Sequence, residues 1–279
     1  MQANFLENSL IIGAHPDDEL LWFASILKQV DDVLIVYRDF WAHPGLGERR
    51  QAVLNDYPRG NVECLNFEEA GTYGCADWSN PVCDEFGLAF SIEASKRELK
   101  RLAKRTLSTV VPIGGNQPTT SVHAAYRDNR DKVETALRQR LRPEMNVFSH
   151  NPWGEYGHED HVQLFRVLDK LRSEIGFRLW MSNYCTERTV PLALTYMTNS
   201  PSPQVRLATD KEFAEKVADT YKKHDCWTWD NDWHWPDEEC FIEAPNKQAS
   251  SPSDRYLPPL NFFAIDPPGE FAAKRSASG

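Results

Sequence analysis

The stretch Ser9-Leu-Ile-Ile-Gly-Ala-His-Pro-Asp-Asp-Glu19 decides the fold. Its first part, Ser9–Gly13, is a short apolar run that ends in glycine, which is typical of a buried parallel strand. Its second part places a proline and three consecutive acids directly after that strand. Acids in a first helical turn complement the helix dipole, so we expect a helix to begin at about Asp17 and to reach about Val30.

The remainder of the chain alternates predicted strands with predicted helices. The strands are expected at residues 33–37, 62–67, 110–113, 145–149 and 177–180, and the helices at 48–57, 92–106, 123–141, 160–175 and 210–224. This alternation predicts an α/β fold, with a mostly parallel, Rossmann-like sheet, helices on both faces and a less regular C-terminal portion. We expect a single domain over residues 1–265 and a flexible tail over residues 266–279.

Composition excludes several classes of partner. The 279 residues contain 31 Lys and Arg against 41 Asp and Glu, and the net charge of -10 opposes broad binding to nucleic acid or to an anionic membrane surface. No apolar stretch approaches the roughly 20 residues that span a bilayer. The N-terminus lacks the basic and apolar regions of a signal peptide, so a cytoplasmic protein is expected. The six cysteines include no C-x-x-C pair, which argues against a structural zinc ribbon.

Two short segments contain the residue types of a metal site. The first is His15-Pro-Asp-Asp-Glu19 and the second is Gly157-His-Glu-Asp-His161, and each follows a predicted strand. In an open parallel sheet the carboxyl ends of the strands lie on one rim, so these two loops can converge on one ion. Catalytic zinc usually takes three His, Asp or Glu ligands and leaves one position for water, and His15, Asp18 and His161 would make such a set.

Other residues in the two segments suggest catalytic roles around that ion. Asp17 could take a proton as general base, and His158, if protonated, could stabilise a developing oxyanion. Asp160 is placed to orient a histidine. We also expect contacts between the substrate and three residues at the pocket rim, just before the second segment: Trp153, Glu155 and Tyr156.

Structural explanations compete with these functional ones. The acids after His15 could form only a charged helix N-terminus. However, the chain has two such segments, each after a predicted strand, and this pairing argues against a chance occurrence. The second segment is not a zincin motif, because H-E-x-x-H would need histidine where Val162 stands. No G-x-G-x-x-G follows the first strand, so dinucleotide binding is unsupported.

Further features have more ordinary explanations. Four tryptophans crowd residues 227–235, where they could contact a sugar but could equally fill a core. Arg49 and Arg50 are expected on a solvated helix face rather than on a phosphate. The remaining histidines are expected to be structural or exposed: His43, His123, His150, His224 and His234. Among them, His150 is the first to reconsider as a ligand, because it closes the strand before the second segment.

The two segments together resemble a known family. His15-Pro-Asp-Asp-Glu19 with His158-Glu-Asp-His161 is similar to the paired motif of the LmbE-like, or PIG-L, N-deacetylases, and the resemblance covers the chain as far as Trp180. These are Rossmann-like zinc hydrolases that remove acyl groups, usually acetyl, from amino sugars. The resemblance implies the same ligand set, the same base and the same role for His158. The chain departs from it at residues 65–71, where a Gly/Asp-rich substrate loop is expected.

The resulting hypothesis is a metal-dependent N-deacetylase that acts on a small-molecule N-acetyl amino sugar or its glycoconjugate. Zinc is favoured, although Fe2+, cobalt or manganese would accept the same His and Asp ligands. Two alternatives remain open. Another metal hydrolase, such as a thiol-conjugate amidase or a phosphoesterase, could use the same ligands. A non-catalytic sugar-binding module could instead use the tryptophans of residues 227–235.

Overall fold

The computed structural model describes residues 5–90, 121–197, 203–229, 233–245 and 259–265. Its strands are β1 (Ser9–Gly13), β2 (Asp32–Phe40), β3 (Val62–Glu69), β4 (Asn146–Ser149), β5 (Arg178–Met181), β6 (Tyr184–Cys185), β7 (Gln204–Ala208), β8 (Glu238–Glu243) and β9 (Asn261–Phe262). Its α-helices are α1 (Asp18–Leu21), α2 (Pro44–Asn55), α3 (Val122–Arg138), α4 (Glu159–Ile175), α5 (Val190–Met197) and α6 (Lys211–Lys223), and a 3-10 turn spans Glu187–Thr189. None of these described helices is long and apolar enough to cross a membrane.

Seven strands form one sheet in the order β3-β2-β1-β4-β5-β8-β7. The first five are parallel, whereas β8 runs antiparallel to both of its neighbours. Strands β6 and β9 pair in a separate two-stranded sheet. The expected α/β class and mostly parallel, Rossmann-like sheet are therefore confirmed, and the C-terminal portion supplies the antiparallel edge.

Alternate residues of the parallel strands pack against opposite layers of helices. Ile11 and Ile35 belong to the cluster that includes residues of α1, α2 and α6. Ile12 and Leu34 belong to the cluster that includes residues of α3 and α4. Since successive side chains of a strand point to opposite faces, a run that is apolar at every position requires cover on both sides. The helices on both faces follow from that apolar run.

The strand order changes direction between β1 and β4, and this point positions the site. From β1 the chain builds outward through β2 and β3 on one side, while β4 and β5 lie on the other. The hydroxyl of Ser149 donates to the Ile12 carbonyl, and the amide of Ala14 donates to Nε2 of His150, so the loops after β1 and β4 are tied together. Such a switch point, at the carboxyl ends of the strands, is where α/β sheets form ligand crevices.

The sequence-based expectations fail at two places. The helix predicted to reach Val30 ends at Leu21, because the backbone amides of Ala24 and Ser25 donate to the buried carboxylate of Glu239 instead of to a preceding helical turn. The antiparallel strands β7 and β8 have no counterpart among the predicted strands. The expected helix at 92–106, strand at 110–113 and tail at 266–279 lie outside the described residues.

Candidate metal centre

The loop after β1 presents one imidazole and two carboxylates within four residues. Asp17 is the N-cap of the short helix α1 and adopts a left-handed backbone conformation, with φ of 103°. The Asp18 carboxylate accepts hydrogen bonds from the backbone amide of His15 at 2.6 Å and from Nε1 of Trp22 at 2.9 Å. These bonds fix the orientation of the carboxylate. His15, Asp17 and Asp18 are all buried.

The loop after β4 turns sharply before it enters α4. Gly154, Glu155 and Gly157 have positive φ values of 62°, 50° and 89°. A Cβ at Gly157 would lie 2.9 Å from the ring of Trp78, so a side chain does not fit there. His158 then caps α4, with its Nδ1 accepting from the amide of Asp160 at 3.2 Å. This turn directs the histidines at the start of α4 towards the loop after β1.

Three side chains from the two loops converge at one point. Nδ1 of His15 lies 3.3 Å from Nε2 of His161. Oδ2 of Asp18 lies 3.4 Å from that Nδ1, and Oδ1 of Asp18 lies 3.4 Å from that Nε2. Tetrahedral zinc with bonds of about 2.0–2.1 Å holds its ligand atoms about 3.3–3.4 Å apart. The distance between the two nitrogens therefore matches one edge of such a tetrahedron, and each nitrogen has an oxygen of Asp18 at a similar distance.

The hydrogen bonds of the rings determine which nitrogens have a free lone pair. Nδ1 of His161 lies 2.8 Å from the Glu155 carboxylate, which places its proton on Nδ1 and leaves Nε2 free. Nε2 of His15 lies 3.4 Å from the Asp160 carboxylate, which in the same way leaves Nδ1 free. These are the two nitrogens that face each other beside Asp18.

Two other buried histidines have no lone pair to offer. His158 uses Nδ1 to accept from the Asp160 amide, so its neutral ring has the proton on Nε2. His150 uses Nε2 to accept from the Ala14 amide at 3.0 Å. Burial lowers the pKa of His150, but the carboxylates of Glu155 and Asp18 outweigh it and raise the pKa to about 9, with an oxygen of Asp18 3.3 Å from Nε2. In the neutral ring the Ala14 amide occupies the Nε2 lone pair, which disfavours His150 as a metal ligand.

Buried side chains form three overlapping groups whose ligand atoms lie close enough for one ion. These groups are His15, His158 and His161; Asp18, His150 and His161; and His15, Glu69 and Asp160. The lone-pair assignments disfavour the first two groups as complete ligand sets. In the third group, Glu69 already pairs with Arg50 at 2.6 Å. The set His15, Asp18 and His161 combines the first two groups: His15 and His161 share one, Asp18 and His161 share the other, and Nδ1 of His15 faces both Asp18 and His161.

The site is electrostatically suited to a cation. Burial lowers the pKa of His15, but Glu69, Asp160 and Asp18 together raise it to about 10. Carboxylates that attract a proton so strongly also attract a metal ion, and the two compete for the same nitrogen. The donor set thus fits a divalent cation in both geometry and charge.

Asp17 and His158 are neighbours of the three converging side chains, and their pKa values are shifted in opposite directions. Burial and the charge of Asp18 raise the pKa of Asp17 to about 8, while the hydrogen bond from Thr228 opposes that shift. Burial and the neighbouring rings of His15 and His161 lower the pKa of His158 well below its ordinary value. The neutral ring, with its proton on Nε2, is therefore the favoured form of His158, and the imidazolium considered from the sequence is disfavoured.

Asp160 lies between the ring of His15 and the hydroxyl of Thr72. One carboxylate oxygen lies 3.4 Å from Nε2 of His15, and the other accepts from the hydroxyl of Thr72 at 3.0 Å. Thr72 belongs to the irregular loop after β3. The neighbouring Glu159 accepts from the backbone amides of Gly74 and Ala76, so the start of α4 also anchors that loop.

Two of the three residues expected at the pocket rim are not there. Trp153 and Glu155 are fully buried, with Nε1 of Trp153 donating to the Tyr184 carbonyl. A direct contact with substrate is wrong for both, because no part of either side chain is exposed. Tyr156 is partly exposed, and its ring lies 5.8 Å from the ring of His158 and 5.3 Å from that of His161. It remains a candidate for substrate contact.

The location predicted for Arg50 from the sequence is also wrong. It is 5% exposed and forms a 2.6 Å ion pair with Glu69, so it is not on a solvated helix face. The second carboxylate oxygen of Glu69 lies 4.0 Å from Nε2 of His15. Arg49, the preceding residue, is exposed as expected. The buried pair thus connects α2 and the end of β3 to the candidate metal centre.

The tryptophan-rich segment has a mixed role. Trp235 is buried and donates to the Leu20 carbonyl at 2.6 Å, which is a structural contact. Trp229 lies at the site, with its ring 5.3 Å from the ring of Tyr156 and 5.3 Å from that of Trp22. In the same segment, Thr228 donates to Asp17 at 2.5 Å. Nothing in the sequence indicated that contact.

Comparison with known proteins finds no match by sequence and a distant structural similarity. No family model matches the sequence, and no curated protein does. Among solved structures, the chain is similar to a deacetylase from the teicoplanin biosynthesis pathway, crystallised as its complex with teicoplanin. The TM-score is 0.46 at 12% identity, over 84% of this chain and 96% of that one. A similarity of this size identifies neither the family nor the function of the chain.

Proposed function

We propose that the protein is a metal-dependent amide hydrolase, with zinc as the favoured ion, which removes the acetyl group from an N-acetyl amino sugar or its glycoconjugate. The observation that supports this most directly is the convergence of three side chains: Nδ1 of His15 lies 3.3 Å from Nε2 of His161, and each of these nitrogens lies 3.4 Å from one oxygen of the Asp18 carboxylate. These three side chains would hold the ion. When bound, such a cation supplies Lewis-acid and water-activating chemistry.

The residues beside the ligand set would provide proton transfer. Asp17 is adjacent to the ligand Asp18 and would accept a proton from the attacking water as general base. A bound cation lowers the pKa of a nearby carboxyl, so Asp17 would be ionised in the loaded protein. Thr228 would hold the carboxylate in position through its 2.5 Å hydrogen bond. Asp17 then has one oxygen bonded and one available.

His158 would stabilise the negative charge that develops on the carbonyl oxygen of the amide. In its neutral form the ring has a proton on Nε2, because Nδ1 accepts from the Asp160 amide. That N–H group would donate a hydrogen bond to the oxygen on which negative charge develops when the amide carbonyl is attacked, without giving up its proton. His158 lies next to the ligand His15, with ring centroids 4.5 Å apart. Amide hydrolysis requires a base for the attacking water, a hydrogen-bond donor for the developing oxyanion and a proton for the departing nitrogen. Asp17 would supply the first, His158 the second, and Asp17 would pass the proton that it accepted from water to the nitrogen.

The assignment of an amino sugar follows from the sequence resemblance and from the aromatic side chains at the site. Tyr73 stacks on His158 with ring centroids 5.2 Å apart. The ring of Tyr156 lies 5.8 Å from that of Tyr73, and the ring of Trp229 lies 5.3 Å from that of Tyr156. All three rings are partly exposed. Aromatic faces can pack against the apolar faces of sugar rings, with their polar atoms left for hydroxyl groups.

Elemental analysis and product analysis would test the proposal together. We expect about one equivalent of zinc in the wild type and none in His161→Ala, with His224→Ala as a control for loss of an unrelated histidine. On a panel of N-acetyl amino sugars and their conjugates, we expect acetate release that stops on chelation and in Asp17→Asn. Zinc binding without acetate release, but with phosphate or another amine released, would indicate a different metal hydrolase. Sugar binding that survives chelation, without any product, would indicate a binding module.

A further inference from the structure

The Glu155 carboxylate lies between two histidines and is completely buried. One of its oxygens is 2.8 Å from Nδ1 of His161 and 3.0 Å from Nδ1 of His150. The other oxygen accepts from the amide of Asn151 at 3.1 Å and from the hydroxyl of Ser182 at 2.5 Å. Four donors therefore surround this one carboxylate, and two of them are imidazoles.

We infer that Glu155 is a positioning residue of the metal centre and that His150 is its second partner rather than a metal ligand. The inference rests on the proposed metal site. It goes beyond that proposal because it assigns what determines the affinity of the site. A carboxylate that accepts from Nδ1 of His161 fixes the tautomer, directs Nε2 towards the ion and makes that nitrogen a better donor.

His150 completes this arrangement by holding the ring of His161. The two imidazoles stack with their centroids 3.7 Å apart and their planes 23° apart. His150 is held in turn at both ends, by Glu155 on Nδ1 and by the amide of Ala14 near Nε2. The rotation of His161 is therefore restricted by one hydrogen bond and one stacked neighbour.

The backbone at Glu155 is strained in a way that the carboxylate explains. Its φ of 50° lies in the left-handed region, which a residue with a Cβ adopts at a cost in free energy. The amide of Glu155 donates to the side chain of Asn151 at 3.0 Å, which stabilises the turn. An asparagine or glycine would fit this backbone more easily, but neither could reach both histidines with a carboxylate.

A glutamine at this position cannot reproduce the bonds. In one orientation its NH2 group would face the two imidazole N–H groups, and in the other it would face the Asn151 amide and the Ser182 hydroxyl. Only an ionised carboxylate accepts all four. Even in the second orientation, the imidazole of His161 would donate to a neutral amide oxygen, so Glu155→Gln removes the negative charge that supports His161 while it hardly changes side-chain volume.

Zinc affinity of the purified protein, measured by competition with a chromophoric chelator, tests the inference. We expect Glu155→Gln to bind zinc about 10–100-fold more weakly than the wild type. The matched control is Glu239→Gln, since Glu239 is 1% exposed and also accepts four hydrogen bonds, but none from a histidine. We expect its zinc affinity to match the wild type within about threefold. Equal affinity of wild type and Glu155→Gln would overturn the inference and leave the proposed function intact.

A measurement on the wild type keeps the inference testable if Glu155→Gln does not fold. In the protein labelled with 15N-histidine and loaded with 113Cd2+, we expect metal–nitrogen coupling at Nδ1 of His15 and at Nε2 of His161. We expect a slowly exchanging proton on Nδ1 of His161 and of His150, and no coupling at His150. Coupling at His150 would overturn the inference. If the wild type takes up neither zinc nor cadmium, the proposed function fails as well.

Discussion

The hydroxyl of Thr228 lies 2.5 Å from Oδ2 of Asp17, although 211 positions separate the two residues in the chain. Thr228 follows α6, in the tryptophan-rich segment, and Asp17 follows β1. The last third of the chain therefore reaches into the centre that the first strand builds. Because Asp17 is the proposed base, Thr228 would determine where its free oxygen points.

Replacement of Thr228 by valine should lower kcat and leave KM almost unchanged. Valine has the same shape but cannot donate, and one hydrogen bond to a charged group is worth enough to reduce the rate roughly 10-fold. Steady-state kinetics on the substrate found by acetate release would measure this. Thr228→Ser restores the donor and should restore most of kcat. Full activity in the valine variant would mean that Asp17 is positioned by other contacts.

Much of the architecture is predictable because buried parallel strands have a strong sequence pattern. The run at Ser9–Gly13 is apolar at nearly every position, and the strand is buried on both faces. The location of the polar loops at the carboxyl ends follows from strand direction alone. The convergence of His15 with His161 therefore follows from the sequence pattern, and the two facing nitrogens lie 3.3 Å apart.

The misplaced residues depend on contacts between distant parts of the chain. Glu155 has the sequence context of a polar loop residue, yet its neighbours His150, His161 and Ser182 bury it completely. Arg50 lies on a helix whose polar pattern suggests exposure, but Glu69 at the end of β3 pairs with it. Buried charges are paired charges, and a sequence pattern does not identify the partner.

Arg50 and Arg49 should differ sharply when each is replaced by alanine. Arg50→Ala removes the 2.6 Å ion pair from the buried carboxylate of Glu69, and breaking a buried pair in this way costs about 3–5 kcal/mol of unfolding free energy. Arg49 is exposed, so its loss should change stability by no more than about 0.5 kcal/mol. Denaturant unfolding of the two variants would measure the difference. Equal, small effects would show that Glu69 is neutralised by another group.

If the proposed site binds a metal ion, removal of that ion should destabilise the fold. The centre buries Asp18, Glu155 and Asp160 around the ligand positions, and a bound cation offsets their repulsion. An ion at 100 times its Kd stabilises the native state by about 2.7 kcal/mol, which for a chain of this size corresponds to roughly 5–10 °C in Tm. We expect a chelator to lower Tm by that amount and added zinc to restore it. In His161→Ala the chelator should leave Tm unchanged.

Glu239 should make stability fall as pH rises above the ordinary range of a glutamate. Burial raises the pKa of its carboxyl, against the opposing hydrogen bonds from Ser25, Tyr184 and the Ala24 amide. The folded protein therefore holds this proton more tightly than the unfolded chain does. Its stabilising contribution is complete below the unfolded pKa, and it is lost as pH rises from there through the raised folded value, at up to about 1.4 kcal/mol per pH unit.

Glu239→Gln lacks this titration. We therefore expect the unfolding free energy of the wild type, measured from pH 4 upward, to decline relative to that of Glu239→Gln. If the unfolding free energy of Glu239→Gln instead declines relative to that of the wild type as pH rises, the hydrogen bonds outweigh burial and the pKa of Glu239 is lowered.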